Sequence, residues 1–311
     1  MSSPAAPLNI VFAGSGEFGL PSLQALADRH RLLCVYTQPD RPAGRGRKLT
    51  PTAVARWARE HLPGVPVVPT ADLNAEPVPA CDLLVVIAFG QKVAPAVIQK
   101  ARLGGINLHA SRLPKYRGAA PIHRAILAGE QVTGNSVIRL ADKMDAGVVL
   151  GMSSVPIGEL ETTGELHDRL AADGAGLLLH VIDQLAAGSA VELEQDDGQA
   201  TPARKVRREE ALLDFTRSAE LLARQVRAFY PWPGCHVEIT VGDARRRATL
   251  VRARATPGEA TPGEIRTDGL VGTGQGLLEV VEIQPEGGRP MPLQSYRNGH
   301  PWAGGKLCGI A

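Results

Sequence analysis

The amino-terminal part of the chain alternates short apolar runs with amphipathic stretches, and this alternation constrains the fold more than any other feature. Apolar runs of strand length that are separated by helices are typical of a parallel sheet with both faces covered. The pattern therefore predicts a Rossmann-like α/β domain. Strands are predicted at residues 8–12, 32–36, 65–68, 83–87 and 106–108, a closing strand pair at 132–140 and 148–155, and helices at 20–28, 52–61, 94–100, 122–128 and 163–187.

The pattern changes near residue 193. Residues 194–208 are mostly polar and predict a linker, and a helix predicted at 218–229 is stopped by the prolines that follow it. Short runs of alternating apolar residues, separated by Gly and Pro, are typical of a small β-barrel. We therefore expect a domain at 1–193, a linker at 194–208 and a barrel domain at 209–311. The barrel strands are predicted at 235–241, 249–251 and 277–283.

Charge is distributed unevenly along the chain. The formal net charge is only +2, but residues 204–254 hold twelve basic and six acidic residues. This excess of six positive charges fits an ordinary solvated surface and equally a face that binds a polyanion. Composition leaves both interpretations open.

The cysteines and the apolar runs indicate the compartment. Cys34, Cys81, Cys235 and Cys308 are far apart and form no Cys-x-x-Cys pair, so neither a disulfide framework nor a zinc site is expected. The longest uninterrupted apolar run, residues 83–89, is far too short to span a bilayer. The first residues lack the basic start of a secretory signal. We therefore expect a soluble cytoplasmic protein that contacts no membrane.

A glycine pattern near the amino terminus suggests a rival function. Gly14, Gly16 and Gly19 form Gly-x-Gly-x-x-Gly between a predicted strand and a predicted helix, and Asp40 follows at about the distance that a dinucleotide-binding fingerprint requires. The pattern alone predicts an NAD(P)-dependent dehydrogenase. However, residues 37–39 separate the second predicted strand from Asp40, whereas the fingerprint acid should end that strand. A nucleic-acid-binding module without chemistry is a third hypothesis, which would explain only the basic segment.

The most informative stretch for function is residues 106–123, which read INLHASRLPKYRGAAPIH. Asn107 and His109 are two residues apart at the end of a predicted strand, so their side chains point the same way. Open α/β sheets place their chemistry at the carboxyl ends of strands. As an isolated pair, the two residues are better explained as a turn cap and a core histidine. The full run favours an active site.

This run resembles the signature of the folate-dependent formyltransferases. In that family an Asn, a His and a later Asp form the catalytic set, and the later Asp matches Asp145. Segments 12–18, 88–90 and 229–234 also resemble the family, although its members usually carry Thr-Pro at the position of residues 15–16. The resemblance covers nearly the whole chain and implies an OB-fold-like second domain.

The resemblance implies an acyl transfer from 10-formyltetrahydrofolate to a substrate amine, with no metal. Attack of the amine on the formyl carbon gives a tetrahedral intermediate, which needs oxyanion donors and a proton acceptor. Asn107 can donate its amide hydrogens to the oxyanion, whereas His109 can accept or donate a proton. Asp145 is expected either to hold His109 in one tautomer or to help remove the amine proton through water.

The same resemblance implies two binding surfaces on a monomer. The composition of residues 41–48 predicts a mobile surface loop. The resemblance implies instead that these residues are an insertion that enters the acceptor end of methionyl initiator tRNA, with Arg45 at its key position. This loop argues against two other activities of the family, sugar-nucleotide formylation and formyl-folate hydrolysis. The expected folate-binding residues are Phe89, Gly90, Gln91, Ser111, Arg112, Leu113 and Pro114, and the expected tRNA-binding residues are Arg41, Arg45, Arg47, Lys48, Lys205, Arg207 and Arg208.

Overall fold

The computed structural model describes residues 6–43, 46 and 48–310. The chain forms two compact units, each assembled from several stretches of sequence. The first unit comprises Met1–Gly118, Thr133–Val155 and Asp168–Pro202. The second unit comprises Ala119–Val132, Pro156–His167 and Ala203–Ala311.

The first unit is built on a seven-stranded sheet. Up to residue 203, the described residues form strands β1 (Asn9–Gly14), β2 (Arg31–Thr37), β3 (Arg41–Ala43), β4 (Lys48–Thr50), β5 (Val67–Pro69), β6 (Leu83–Ile87), β7 (Gly105–His109), β8 (Arg117–Gly118), β9 (Val132–Thr133), β10 (Ser136–Arg139), β11 (Val149–Met152), β12 (Val155–Pro156) and β13 (Pro202–Ala203). The sheet order is β11-β10-β7-β6-β1-β2-β5. The five strands from β7 to β5 pair in parallel, whereas β10 is antiparallel to both of its neighbours. The predicted α/β class is therefore confirmed.

Some helices of the described residues begin or end at ordinary capping signals. The Thr52 hydroxyl accepts a hydrogen bond from the Ala55 N–H at 3.0 Å at the start of the second helix. Gly129, with φ +78°, ends the fourth in the left-handed conformation that glycine tolerates. The helices are α1 (Leu20–Arg29), α2 (Ala53–His61), α3 (Pro95–Ile98), α4 (Pro121–Ala128), α5 (Thr163–Ala187), α6 (Ala219–Ala228) and α7 (Leu293–Gly299), with short 3-10 turns at Glu17–Gly19, Leu73–Ala75, Asp197–Gln199 and Arg208–Ala211.

The apolar runs of the central strands are continuous because both faces of the sheet are covered. Ile10 and Phe12 are fully buried, and so are Val11 and Ala13, which point to the opposite face and pack in a cluster with Val86. Near the sheet edge the predicted strand at 132–140 is interrupted. A Cβ atom at Gly134 would lie 2.1 Å from the Ser153 carbonyl oxygen, so the chain passes too close for a regular strand there.

Helix α5 is long and apolar enough to cross a membrane by length and composition alone. Leu166, Leu170, Leu178, Val181 and Ile182 are nevertheless fully buried within the protein. Core helices of folded domains pass the same test, so this helix is weak evidence of a membrane span.

The second unit contains an antiparallel, nearly closed barrel. Its sheet order is β16-β17-β15-β14-β19, with β18 paired to β17, where the strands are β14 (Cys235–Val241), β15 (Ala244–Thr256), β16 (Val271–Gly272), β17 (Leu277–Pro285), β18 (Met291–Pro292) and β19 (Lys306–Gly309). Bridges from Ile265 to Val271 and from Glu264 to Lys306 join the two ends of this order. The predicted barrel is thus confirmed.

The core of the second unit lies between α6 and the barrel. Leu222 and Val226 of the helix share one buried cluster with Val237, Leu250 and Trp302. Strand β15 is much longer than the predicted run at 249–251, because arginines occupy positions 245–247 and mask its alternation. An amphipathic strand with long charged side chains on one face gives a weak apolar signal.

Candidate active site

Strand β7 carries Asn107 and His109 to the carboxyl edge of the parallel sheet. β7 pairs in parallel with β6, where Asn107 lies opposite Val86, and antiparallel with β10, where it lies opposite Ile138. The Asn107 side chain is half-buried, and the His109 side chain is only 7% exposed. The predicted strand and its polar end are therefore present where open α/β sheets bind their substrates.

The His109 ring contacts a carbonyl on one side and a carboxylate on the other. Its Nε2 lies 2.9 Å from the Tyr116 carbonyl oxygen, and its Nδ1 lies 3.7 Å from Asp145 Oδ2. A carbonyl oxygen only accepts hydrogen bonds, so Nε2 carries a hydrogen in this arrangement. Nδ1 is consequently the nitrogen that can accept a proton, and it faces Asp145.

The Asp145 loop, residues 140–148 between β10 and β11, holds the carboxylate in a fixed position. The side chain is 13% exposed, and its Oδ2 accepts a hydrogen bond from the Gly118 N–H at 2.9 Å. Asp145 has φ +54°, a left-handed conformation that costs a non-glycine residue energy. The structure therefore brings together His109 and Asp145, whose positions in the sequence are far apart.

Gly147 is required by a close approach of two backbone segments. Its Cβ, if present, would lie 1.9 Å from the Arg139 carbonyl oxygen. The sharp turn of the loop is made by Asp145 itself, whereas Gly147 allows the returning chain to pass directly over the end of β10. Any side chain at residue 147 would displace the Asp145 loop.

The expected folate-binding residues lie just after two neighbouring parallel strands. Phe89 is buried after β6, and the adjacent Ala88 and Gly90 have φ +46° and +76°. The Gln91 side chain accepts from the Leu73 N–H and donates to the Thr70 carbonyl, both at 2.8 Å. Through these two hydrogen bonds, Gln91 fixes the segment that follows β6 to the backbone of residues 70–73.

The second expected folate segment follows β7. Ser111 is fully buried, and its hydroxyl donates to the Lys115 carbonyl at 2.7 Å. The Ser136 hydroxyl of β10 donates to the Ser111 carbonyl at 2.7 Å and accepts from the Leu113 N–H at 3.0 Å. Arg112 is exposed, and Pro114 follows a cis peptide bond. These contacts fix the backbone of residues 111–115.

The basic hairpin, Arg41–Thr50, pairs β3 with β4 in antiparallel register. Arg41 and Lys48 are exposed, and the Arg41 guanidinium donates to Gln38 Oε1 at 2.9 Å. A cavity of about 310 Å³ beside the hairpin is lined by Ser15, Gly16, Gln38, Pro39, Arg41, Thr50, Pro51 and Thr52. Arg45 and Arg47, two of the predicted tRNA contacts, lie outside the described residues.

The other predicted tRNA contacts, Lys205, Arg207 and Arg208, are all exposed in the second unit. The Arg207 N–H donates to Glu210 Oε1 at 2.8 Å, at the start of the 3-10 turn that contains Arg208. Arg207 and Arg208 therefore extend their cationic groups from a hydrogen-bonded turn, where they are accessible to a phosphate chain.

The first glycine of the rival dehydrogenase pattern is explained by packing. A Cβ on Gly14 would lie 2.6 Å from the Phe12 ring and 2.8 Å from the Ile87 carbonyl oxygen. The Ser15 hydroxyl accepts a hydrogen bond from the Gln38 N–H at 3.0 Å, which ties the turn to the end of β2. β2 ends at Thr37, so Asp40 lies beyond it and is exposed. Packing therefore accounts for Gly14 without a dinucleotide, and Asp40 does not end β2 as the fingerprint acid should.

The sequence did not predict the residues that hydrogen bond with the Asp145 loop and with the neighbouring residues 116 and 117. Gln195 donates to the carbonyls of Asp145 and Gly147, and it accepts from the Arg117 guanidinium. The Thr201 hydroxyl and carbonyl accept from the Tyr116 and Arg117 N–H groups, both at 2.9 Å. Gln195 and Thr201 belong to a polar stretch without periodicity, so the sequence offered no signal beyond polarity. Among the described residues, no group of three His, Cys, Asp or Glu could hold a metal ion.

Comparison with known families gives a match over most of the chain. The formyl transferase family matches residues 8–182, and the formyl transferase C-terminal domain matches residues 205–301. The methionyl-tRNA formyltransferase of Methylococcus capsulatus is 44% identical over 314 residues, covering 96% of this chain and 99% of the relative. That of Pseudomonas paraeruginosa is 42% identical, covering 97% and 100%.

Solved structures share the fold at much lower identity. An N-formyltransferase from Helicobacter canadensis, in complex with folinic acid and dTDP-3-aminofucose, has a TM-score of 0.63 at 15% identity and covers 91% of this chain and 99% of its own. HypX from Aquifex aeolicus in complex with tetrahydrofolic acid has a TM-score of 0.59 at 16% identity, covering 94% and 47%. At these identities the likeness concerns the fold alone.

Proposed function

The chain belongs to the formyl transferase family, and we propose that it transfers the formyl group of 10-formyltetrahydrofolate to the amino group of methionyl-tRNA. The observation that carries this proposal is the set of relatives that match nearly the full length at above 40% identity and act on methionyl-tRNA by name. The finer proposal is that the initiator tRNA is the acceptor and that the product serves translation initiation.

We assign stabilisation of the oxyanion to Asn107. As the amine attacks the formyl carbon, negative charge develops on the formyl oxygen, and a fixed amide donor lowers the energy of that charge. Asn107 lies at the carboxyl edge of the sheet, two residues before His109 on the same strand. Its amide can donate but cannot carry a proton away, so a second group must do so.

We assign the proton acceptor to His109 acting through Nδ1. The contact of Nε2 with the Tyr116 carbonyl leaves Nδ1 to accept a proton from the attacking amine. The same nitrogen can return the proton to N10 of tetrahydrofolate as the bond between N10 and the formyl carbon breaks. The Asp145 carboxylate, 3.7 Å from Nδ1, stabilises the resulting imidazolium. The Tyr116 carbonyl therefore sets the tautomer, so of its two expected roles Asp145 keeps that of assisting removal of the amine proton, which it does by stabilising the protonated His109.

We propose that the folate is bound by Phe89, Gly90 and Gln91 together with residues 111–114. Both segments follow adjacent parallel strands. The Gln91 and Ser136 side chains hydrogen bond with the backbone around them and fix the two segments. Other backbone groups of these segments are proposed to hydrogen bond with the pterin. The acceptor end of the tRNA would contact the basic hairpin, and its phosphate backbone would contact Lys205, Arg207 and Arg208. The protein is proposed to act as a cytoplasmic monomer without contact to a membrane, with functional domains at 1–193 and 209–311 joined by 194–208.

A transfer assay with competing acceptors tests the function. Purified protein is given 10-formyltetrahydrofolate carrying a labelled formyl group, with methionyl initiator tRNA, methionyl elongator tRNA or a dTDP-aminosugar as the acceptor. Label is expected on the initiator tRNA and at a much lower rate on the other two. Transfer to the aminosugar alone would overturn the proposal, and tight binding of NADPH without binding of a folate analogue would favour the dehydrogenase hypothesis.

A further inference from the structure

The Asp145 loop has a conformation that its own sequence does not favour. Asp145 adopts φ +54°, a left-handed conformation that a non-glycine residue keeps only where neighbouring groups hold it. The carbonyls of Asp145 and Gly147 both point to the same side chain, that of Gln195. The position of the carboxylate therefore depends on a residue that is fifty positions away in the sequence.

The Gln195 amide uses its full hydrogen-bonding capacity in this contact. Nε2 donates to the Asp145 carbonyl at 2.9 Å and to the Gly147 carbonyl at 2.7 Å. Oε1 accepts from Arg117 Nε at 3.0 Å and from Arg117 Nη2 at 2.8 Å. An amide offers two donors and two acceptor sites, and a carboxylate or a thioether could not replace both.

Gln195 also holds the segment that binds the Asp145 carboxylate. Arg117, the residue it contacts, directly precedes Gly118, whose N–H donates to Asp145 Oδ2 at 2.9 Å. The Arg117 side chain is only 10% exposed, and its Nη1 lies 2.7 Å from Asp197 Oδ1. Gln195 is thus bonded to the backbone of Asp145 on one side and to the segment holding its carboxylate on the other.

We propose that Gln195 is a positioning residue for formyl transfer: it fixes Asp145 beside His109 by clamping the backbone of the Asp145 loop to Arg117. This inference rests on the catalytic role proposed for Asp145. All of these residues lie within the first compact unit. Segment 194–208, whose composition predicts only a linker, therefore supplies a part of the active site.

The test compares Gln195→Met with Gln225→Met. Gln225 makes the same kind of contact in the second unit, where its Nε2 donates to the Glu210 carbonyl at 2.6 Å and to the Leu212 carbonyl at 3.1 Å. Gln195→Met should lower kcat by roughly tenfold to a hundredfold, as expected for a displaced catalytic group, with KM for folate and tRNA changed by less than about twofold. Gln225→Met should leave kcat at saturating substrates within about twofold of wild type.

A double-mutant cycle separates positioning from a general loss of structure. In an Asp145→Asn background, Gln195→Met should lower kcat by less than about threefold more, because the group it positions has already been disabled. Gln195→Glu, which keeps the acceptor side toward Arg117 but loses both donated bonds, should lower kcat as Gln195→Met does. Thermal melting curves and binding of a folate analogue show which variants are folded. If Gln195→Met does not fold, Gln195→Glu replaces it in the double-mutant cycle.

Two results would overturn the positioning role. One is a folded Gln195→Met or Gln195→Glu enzyme with wild-type kcat; the other is a loss in the Asp145→Asn background as large as in the wild type. Either result leaves the proposed function intact as long as Asp145→Asn itself is strongly impaired. If Asp145→Asn is fully active, the proposed active site fails instead, so the two failures are distinct.

Discussion

The Asp145 loop and the basic hairpin are both proposed to serve the same reaction, but their described residues are held in opposite ways. The Asp145 loop is bonded to Gly118 and Gln195 through its carboxylate and two of its carbonyls. In the basic hairpin Arg41, Lys48 and Leu49 are exposed, Leu49 by 71%. Groups that move protons need fixed positions, whereas groups that attract a polyanion act over a distance. Substitutions in the Asp145 loop should therefore lower kcat, whereas substitutions in the basic hairpin should lower kcat/KM for the tRNA.

The largest effects are expected in the fixed site. His109→Ala and Asp145→Ala should each lower kcat by about a hundredfold or more, and Asn107→Ala by roughly a hundredfold, as for other oxyanion donors. Because His109 and Asp145 act as one unit, the double variant should be little worse than either single one. Steady-state kinetics at saturating substrates measure this, and wild-type turnover in His109→Ala would refute the assignment.

Gly147→Ala sharpens the comparison, because it changes the position of the loop without touching a reacting group. The added methyl group would clash with the Arg139 carbonyl oxygen, so the backbone that carries Asp145 must shift. We expect kcat to fall by about tenfold or more. Gly46→Ala in the basic hairpin is the matched change, since among the described residues its Cβ would meet only the Lys48 side chain, at 3.9 Å. Equal kcat values for the two variants would argue against a fixed Asp145 loop.

A hairpin variant should affect the tRNA substrate alone. Arg45→Ala is expected to lower kcat/KM for methionyl initiator tRNA severely, by roughly tenfold or more, because one inserted arginine positions the reacting end. Affinity for a folate analogue, measured by fluorescence titration, should be unchanged. Normal formylation by Arg45→Ala would return the sugar-nucleotide activity to consideration.

Neutralising Lys205, Arg207 and Arg208 should have a smaller and salt-dependent effect. Each lost phosphate contact reduces the dependence of log affinity on log salt by roughly 0.7 to 0.9, so the triple alanine variant should flatten the slope by about two. KM for tRNA should rise more than kcat falls. Binding isotherms at two salt concentrations check this, and an unchanged slope would mean that these side chains do not contact phosphate.

The smallest effect on activity is expected for an ion pair in the second unit. Glu165 lies 2.7 Å from Arg252, and this hydrogen-bonded guanidinium lowers the Glu165 pKa to about 2. A pKa below the unfolded value of about 4.3 means that the pair stabilises the fold fully above that pH, and that the stabilisation is lost as the pH falls toward 2. Since Glu165 is 48% exposed, solvent screening limits the contribution to about 1 kcal/mol. Urea unfolding of Glu165→Gln should show a deficit at pH 7 that shrinks below about pH 4, with kcat unchanged.

The sequence predicted the sheet and the barrel well, because apolar periodicity is a local property. The predicted boundaries of the strand at 83–87, the long helix at 163–187 and the strand at 235–241 agree with the structure. Local pattern failed where backbone contacts decide, as at Gly134, and where charges cover a strand, as in β15.

For the site, the strand pattern and the family resemblance identified the candidate residues but not their supports. Asn107, His109 and Asp145 belong to recognisable motifs. Gln195 acts through two backbone carbonyls and one guanidinium, and no spacing rule joins it to residue 145. The predicted linker at 194–208 was defined by polarity alone, and polarity does not distinguish a solvated segment from one whose amides hold an active-site loop.

The most direct test of the proposed chemistry is single-turnover formyl transfer by Asp145→Asn. An asparagine keeps the shape and can still accept the Gly118 hydrogen bond, so the variant removes mainly the negative charge beside His109 Nδ1. Enzyme saturated with 10-formyltetrahydrofolate is mixed with methionyl initiator tRNA, and the formylated product is followed in time. We expect normal formation of the complex and transfer slowed by about a hundredfold or more. Transfer at the wild-type rate would contradict the assignment of the reaction to the fixed pair His109 and Asp145.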